Sequence, residues 1–478
     1  MTGNASQKLP LYALTALVVS SMIGGGIFSL PQNAAASAGP AAMLIAWSIT
    51  AVGMLMLALV FQMLANRKPE LDSGIYAYAR AGFGPYVGFL SAWGYVLSAW
   101  IGNISYFVLM FSTLGQWFGA FGEGNTAWAV AGASAILWVI HALMMRGIKQ
   151  AAIINVAATV TKVAAVALFI MLGLTGFKLG VFTADLWGRA TPDLGSPLDQ
   201  VRKMMLITVW VFIGIEGASV FSARARTRAD VGRATVLGFL GTLLLLVLVN
   251  VISMGILGQA ELAGLENPSM AGVLSQVVGP WGGWAISGAL LVSLFGSLLA
   301  WMLLCSEILF TAAKDESMPR FLTAENRHGV PHNAVLLSNT VLQIFLLLTM
   351  SSQSTYLTLV SLATSTVLLP YLFSALYAVK LTRSGESYAG QAQARRTDLL
   401  VAALAVIYSL WLVYAAGPTY LLLSVLAYLP GTALFILSRR ERGERVFAPA
   451  EQALLAALTL AALYAGYLLY TGAISIGS

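Results

Sequence analysis

Charge is what this sequence has least of. Only 9% of its 478 residues are charged, against 59% hydrophobic ones, and the mean hydropathy is +0.82. So little polar surface excludes soluble globular and disordered classes, and the chain reads as an integral membrane protein. Cysteine is nearly absent: Cys305 stands alone, which excludes an internal disulfide. The three histidines, His141, His328 and His332, show no metal-ligand spacing with cysteine or paired acids, so neither a metal nor any other cofactor is expected. HExxH, GxSxG and a buried Ser–His pair are also missing, which argues against an intramembrane enzyme. Alternating ten-residue strands are absent too, so the fold is not a β-barrel. The largest loops, 177–202, 259–280 and 314–333, are too short for a second domain.

What the sequence does have is long apolar runs. They fall at about 11–37, 41–65, 86–113, 127–145, 151–176, 203–222, 233–258, 281–313, 334–350, 355–380, 398–415, 419–438 and 449–474. This predicts an all-α membrane protein of 12–13 transmembrane helices, the number depending on whether 449–474 spans. With the amino terminus inside, 21 of the 26 basic residues lie in inner loops. That asymmetry fixes a cytoplasmic amino terminus and accounts for the +7 net charge through the lipid bilayer, without nucleic acid. Lys178, Arg189, Arg202 and Lys203 fall outside in one loop, and Lys162 lies within a helix. The first dozen residues lack the features of a cleaved secretory signal, so helix 1 is expected to act as an uncleaved one. The natural setting is a bacterial inner (plasma) membrane.

Two helices share an oddity. Helix 1 carries "SSMIGGGIF" and helix 6 carries "FIGIEGASVF", so both are interrupted by glycine in mid-span. A shift of five helices reverses topology, which makes them corresponding elements of two inverted halves, at about 11–176 and 203–380, with additional helices over about 398–474. Paired interruptions of this kind point to a transporter site at the midplane. A break at Gly24–Gly26 would free N–H groups for a carboxylate, and one near Gly214–Gly217 would free carbonyls for an ammonium. The alternative is close helix packing through small residues. Glu216 sits about 18 Å into helix 6, near mid-membrane, where an ionisable group is a functional candidate. Lys162, about 16 Å into helix 5, is too deep to snorkel. Its cation is open to a structural ion pair or a proton-coupling role. Trp301 is too deep for an interfacial anchor, and either it or Trp210 could cover a cationic group. Glu307, near the inner third of helix 8, is open to pairing with Lys162, to lining an inner vestibule or to attracting cations.

The stretches "GGGIF", "AWIGNIS" (99–105), "WVFIGIEGASVFS" (210–222) and "GSLLAWMLLCSEILFTAAKD" (296–315) resemble the amino acid-polyamine-organocation (APC) superfamily in order and placement. They are most similar to its basic amino acid/polyamine antiporters, in particular the bacterial arginine/ornithine exchangers. The resemblance implies a LeuT-like fold with a 5+5 inverted repeat in one membrane domain spanning 1–478, with helices 1 and 6 discontinuous. It implies exchange of external arginine for internal ornithine, with lysine or another basic amino acid as further substrates and a homodimer as a possible assembly. Substrate-binding positions then fall on Ser21, Gly25, Gly26, Ser98, Ala99, Asn103, Ile213, Glu216 and Trp301, with Trp210 as the outer gate. Gly25 stands where such exchangers often carry serine, a departure that removes a hydroxyl. Lys162 would occupy the place of the sodium ion of sodium-coupled relatives. The alternative within the same superfamily is a proton-coupled or polyamine/lysine permease.

Overall fold

The computed structural model describes residues 11–71, 74–147, 149–215, 228–350 and 356–474. Apolar runs become helices because, in lipid, only a helix satisfies every backbone N–H and C=O within its own segment. In chain order these are α1 (Leu11–Met22), α2 (Gly26–Ser37), α3 (Pro40–Arg67), α4 (Ile75–Phe83), α5 (Pro85–Gly115), α6 (Ala127–Met145) and α7 (Lys149–Gly176). There follow α8 (Leu179–Thr183), α9 (Pro197–Trp210), α10 (Arg228–Ile256), α11 (Gln259–Ala263), α12 (Ser269–Val278) and α13 (Pro280–Lys314). The last four are α14 (His332–Thr349), α15 (Tyr356–Ser384), α16 (Ala392–Glu441) and α17 (Pro449–Tyr470).

Among the described residues, 10 helices are long and apolar enough to cross a membrane, α17 included. At 50 residues, α16 would be about 75 Å long, over twice the hydrocarbon thickness. It bends at Gly417, whose φ of 71° suits glycine, with Pro418 next. The expected spans 398–415 and 419–438 are its two arms. The short helices α4, α8, α11 and α12 lie in stretches the hydropathy reading left as loops.

Helix α5 is the axis. Its apolar window is 94% buried, against 11% for α17, which lies at the rim. It packs against α15, α13, α4, α14 and α16. Its Tyr86 and Phe89 meet Phe435 of α16 at 5.0 and 5.4 Å between ring centroids. Glycine makes room for such rings. A Cβ on Gly94 would lie 1.7 Å from the Tyr428 hydroxyl, and one on Gly431 would lie 2.3 Å from the Trp93 ring.

The basic loops gather at one end and tie helices together there. Arg67 pairs with Asp398 at 2.8 Å and Lys68 with Glu386, joining α3 to α16 and to the segment before it. Tyr76 of α4 donates to Asp315 at 2.8 Å, Arg80 reaches the Asp315 carbonyl, and Lys380 donates to the Gly82 carbonyl at 2.6 Å. These contacts close the basic end of the bundle.

Candidate substrate site

The first apolar run is not one helix. α1 stops at Met22, the Gly24 amide turns back to the Met22 carbonyl at 2.9 Å, and α2 starts at Gly26 with no side chain capping it. The first amides of α2 therefore carry the partial positive charge of an open helix N-terminus. The sixth run ends comparably. α9 stops at Trp210 and tightens through Phe212 to Val209 (2.9 Å) and Ile213 to Trp210 (3.2 Å), and Gly214 takes φ 108°. At the start of α2, Gly26 lies against Trp210 and Val211 at the C-terminal end of α9. Opposite helix poles thus face one locus, a pairing suited to a zwitterion.

The reason for glycine differs between Gly214 and the Gly24–Gly26 run. Gly214 needs its positive φ, whereas none of Gly24, Gly25 and Gly26 has one. Space is what those three provide. A Cβ on Gly24 would stand 2.3 Å from the Tyr106 hydroxyl, and one on Gly25 would stand 2.5 Å from Leu294 Cδ2 and 3.4 Å from the Tyr106 ring. On Gly26 it would meet Trp210 Nε1 at 2.7 Å, and on Gly102 it would meet the far end of the same indole at 2.9 Å. Tyr106 and Trp210 contact each other edge-on, centroids 5.9 Å apart.

A cavity lies beneath these rings. Of the residues expected at the site, Gly26, Ser98, Ala99, Trp210, Ile213 and Trp301 line it together, with Gly24, Gly102, Tyr106 and several aliphatic side chains also in the wall. It holds only about 20 Å³, room for roughly one water and far too little for an amino acid. Gly25 sits against its edge through Tyr106.

Asn103 is buried at 1% exposure but is turned away from the cavity. Its Nδ2 donates to the Ala99 carbonyl at 2.8 Å and lies 3.9 Å from Cys305 Sγ. Because that carbonyl can only accept, the amide orientation is fixed, and Oδ1 is left as a buried acceptor with no partner among the described residues. Lys162 is buried at 3% exposure on α7, which packs on α13 and α10, and it does not line the cavity. Glu307 is on an exposed face of α13 two turns before Lys314, which pairs with Glu325 at 3.5 Å. Ser21 falls in the last turn of α1, its side chain outside the described set, and Glu216 lies outside the described residues.

Tyr106 and Gly102 were not among the residues expected at this site. Their signal is present: with Ala99 they stand at i, i+3 and i+7, one face of a helix.

A bundle of membrane-crossing helices, its first apolar run divided into α1 and α2 beside a small cavity, defines a multi-pass membrane protein. The sequence profile of the amino acid permease family matches residues 9–422, and the chain belongs to that family. It is 57% identical to an arginine/ornithine antiporter of Pseudomonas aeruginosa over 482 residues, covering 100% of both chains. It is 44% identical to an L-lysine transport protein of Corynebacterium glutamicum, covering 98% of this chain and 97% of that one. An arginine/agmatine antiporter of Chlamydia pneumoniae is 40% identical, with 99% of each chain covered.

Proposed function

We propose that the protein exchanges basic amino acids across a bacterial inner membrane, external arginine for internal ornithine, by alternating access. The observation that carries this reading is the cavity where the poles of α2 and α9 meet between Trp210 and Trp301. Backbone amides at Gly25 and Gly26 bind the substrate carboxylate, and the end of α9 receives the α-ammonium. Trp301 and Ser98 face the distal cation, with Asn103 Oδ1 available once its side chain swings inward. Trp210 closes the outer side, and Glu216 and Ile213 complete the site from helix 6. Lys162 holds the sodium-like position.

Arginine and ornithine each carry one net positive charge near neutral pH, so one-for-one exchange is electroneutral and runs on the two concentration gradients. The cavity is too small for substrate, so binding must displace Trp210 and Tyr106. That displacement links occupancy to the conformational change. The basic end of the bundle is cytoplasmic, with the amino terminus on that side. The two halves, 11–176 and 203–380, form the inverted repeat, and the protein assembles as a homodimer. The lysine-transporting relative supports a rival reading, lysine exchange or proton-coupled uptake on the same scaffold.

Proteoliposomes separate the two. Saturable arginine uptake that requires internal ornithine supports the exchanger; uptake into empty vesicles driven by an imposed proton gradient overturns it.

A further inference from the structure

Tyr106 stands where the substrate carboxylate is assigned. The side chain reaches the break between α1 and α2 from a third helix, α5, and lines the cavity at 6% exposure. A missing side chain admits it. A Cβ on Gly24 would stand 2.3 Å from the Tyr106 hydroxyl, so the phenol oxygen occupies the space that alanine at position 24 would fill. The Gly25 amide donates to that oxygen. The ring lies alongside Gly25 as well, with two of its carbons 3.4 Å from where a Cβ would be.

That amide is one of the two given above to the substrate carboxylate, so phenol and carboxylate compete for one donor. The first amides of a helix carry partial positive charge, and leaving one buried and unmatched is costly. Tyr106 removes that cost until a substrate arrives. A carboxylate is the stronger acceptor, because hydrogen bonds to an ionised group are roughly twice as strong as neutral ones. A solute with the same cationic end and no carboxylate brings nothing to take the amide from the phenol. Displacement also reaches the gate, since Tyr106 contacts Trp210 edge-on, centroids 5.9 Å apart, and the same indole lies against Gly26. The phenol cannot leave the break without changing its contact with Trp210.

We propose that Tyr106 is a built-in stand-in for the substrate carboxylate: its hydroxyl holds the Gly25 amide until an amino acid displaces it, and that displacement frees Trp210 to move. Tyr106 thereby sets the preference for solutes that carry a carboxylate over the amines left when it is removed. The proposal rests on the exchanger reading and deepens it.

The test compares the full chain with its Tyr106→Phe variant, which keeps the ring and deletes only the competing oxygen. Calorimetry on the purified protein gives the Kd for arginine and for agmatine, which is arginine without its carboxylate. Ornithine-loaded proteoliposomes give the exchange rate at saturating external concentrations of each. A neutral hydrogen bond of ordinary net strength corresponds to roughly fivefold in an equilibrium constant. Arginine breaks that bond on binding, so its Kd is expected to fall about fivefold in the variant while its maximal rate stays within about twofold. Agmatine binds with the bond intact and breaks it only as Trp210 moves, so its Kd stays within about twofold and its maximal exchange rate rises about fivefold. Arginine affinity that is unchanged or weaker in the variant overturns the stand-in, as does an equal gain in affinity for agmatine. An arginine-to-agmatine rate ratio equal to the parent's overturns the link to Trp210. A parent protein that binds arginine but exchanges neither solute for ornithine overturns the exchanger reading instead.

Discussion

Alanine at Gly26 or Gly102 tests whether Trp210 is a fitted gate. The indole spans lengthwise between α2 and α5, with Nε1 toward Gly26 and the far ring edge toward Gly102. A Cβ at 2.7 Å from one end or 2.9 Å from the other must drive the ring back by roughly 0.6–1 Å to reach ordinary carbon contact. Retreat from either end presses the ring on the opposite glycine. Overpacking of this kind costs about 1–3 kcal/mol, whereas alanine at Gly102, in the interior of α5, would otherwise stabilise by about 1 kcal/mol. The two effects have opposite signs, so the result is diagnostic. A net penalty near 1.4 kcal/mol reduces the closed-gate population about tenfold, and arginine–ornithine exchange at saturating substrate is expected to slow by a similar factor. Shortening the ring with Trp210→Phe in either alanine background should recover part of that loss, giving a coupling above about 1 kcal/mol in the double-mutant cycle. Exchange rates for both alanine variants within twofold of the parent, or losses that simply add to that of Trp210→Phe, would refute the fitted-gate argument.

Three further outcomes follow from the site and its closures. Trp301→Ala is expected to weaken arginine binding about 3- to 30-fold, the range of a cation–π contact, while Trp301→Phe stays within about threefold; calorimetry on the purified protein checks this, and an unchanged affinity removes Trp301 from the site. Tyr76→Phe deletes the 2.8 Å bond to Asp315 that helps shut the basic end. At about 1 kcal/mol this shifts the population toward opening there and raises the outer-face arginine KM up to roughly fivefold, so a KM equal to the parent's removes Tyr76 from the closure. In the loop after α8, the Ala190 and Arg189 amides donate to Asp185 at 2.8 and 2.9 Å and hold its carboxyl below the ordinary aspartate range. A lowered carboxyl stabilises above its unfolded value and loses that contribution as pH falls through the folded one. Hydrogen-exchange protection of those two amides should therefore persist through the ordinary aspartate range near about pH 4 and fade only below it, and Asp185→Asn should abolish that pH dependence.

Most helix positions could be read from the sequence because lipid imposes one rule on every spanning segment: apolar side chains outside and a self-satisfied backbone inside. The reading failed where that rule is silent. Helix α4 has nine residues and α12 ten, too few to register as spans, yet α4 carries Tyr76 and Arg80 to Asp315. Ser98, Ala99, Trp210, Ile213 and Trp301 could be placed from motif wording, and the fold does gather them around one cavity. Tyr356 could not be: it opens α15, about 250 residues after Tyr106 in the chain, and only tertiary packing puts its side chain against Trp210 and Ser29.

The glycines show most clearly why sequence patterns stop short. "GGGIF" in isolation suggests a backbone that needs freedom, but none of Gly24, Gly25 and Gly26 takes a positive φ. The requirement comes from across the bundle, where Tyr106 and Trp210 fill the space a Cβ would take. The same device joins Gly53 to Tyr408, Gly94 to Tyr428 and Gly431 to Trp93, none of which lines this cavity. Close packing and a substrate site were rival explanations for the glycine run, yet the packing at Gly26 is packing against a ring that lines the cavity. On the proposed exchanger reading, closure depends on how tightly the ring fits, and the glycine on one helix is meaningful only with the aromatic on another. A larger residue at Gly26 combined with a smaller ring at position 210 should preserve the gate, whereas either change alone should impair it.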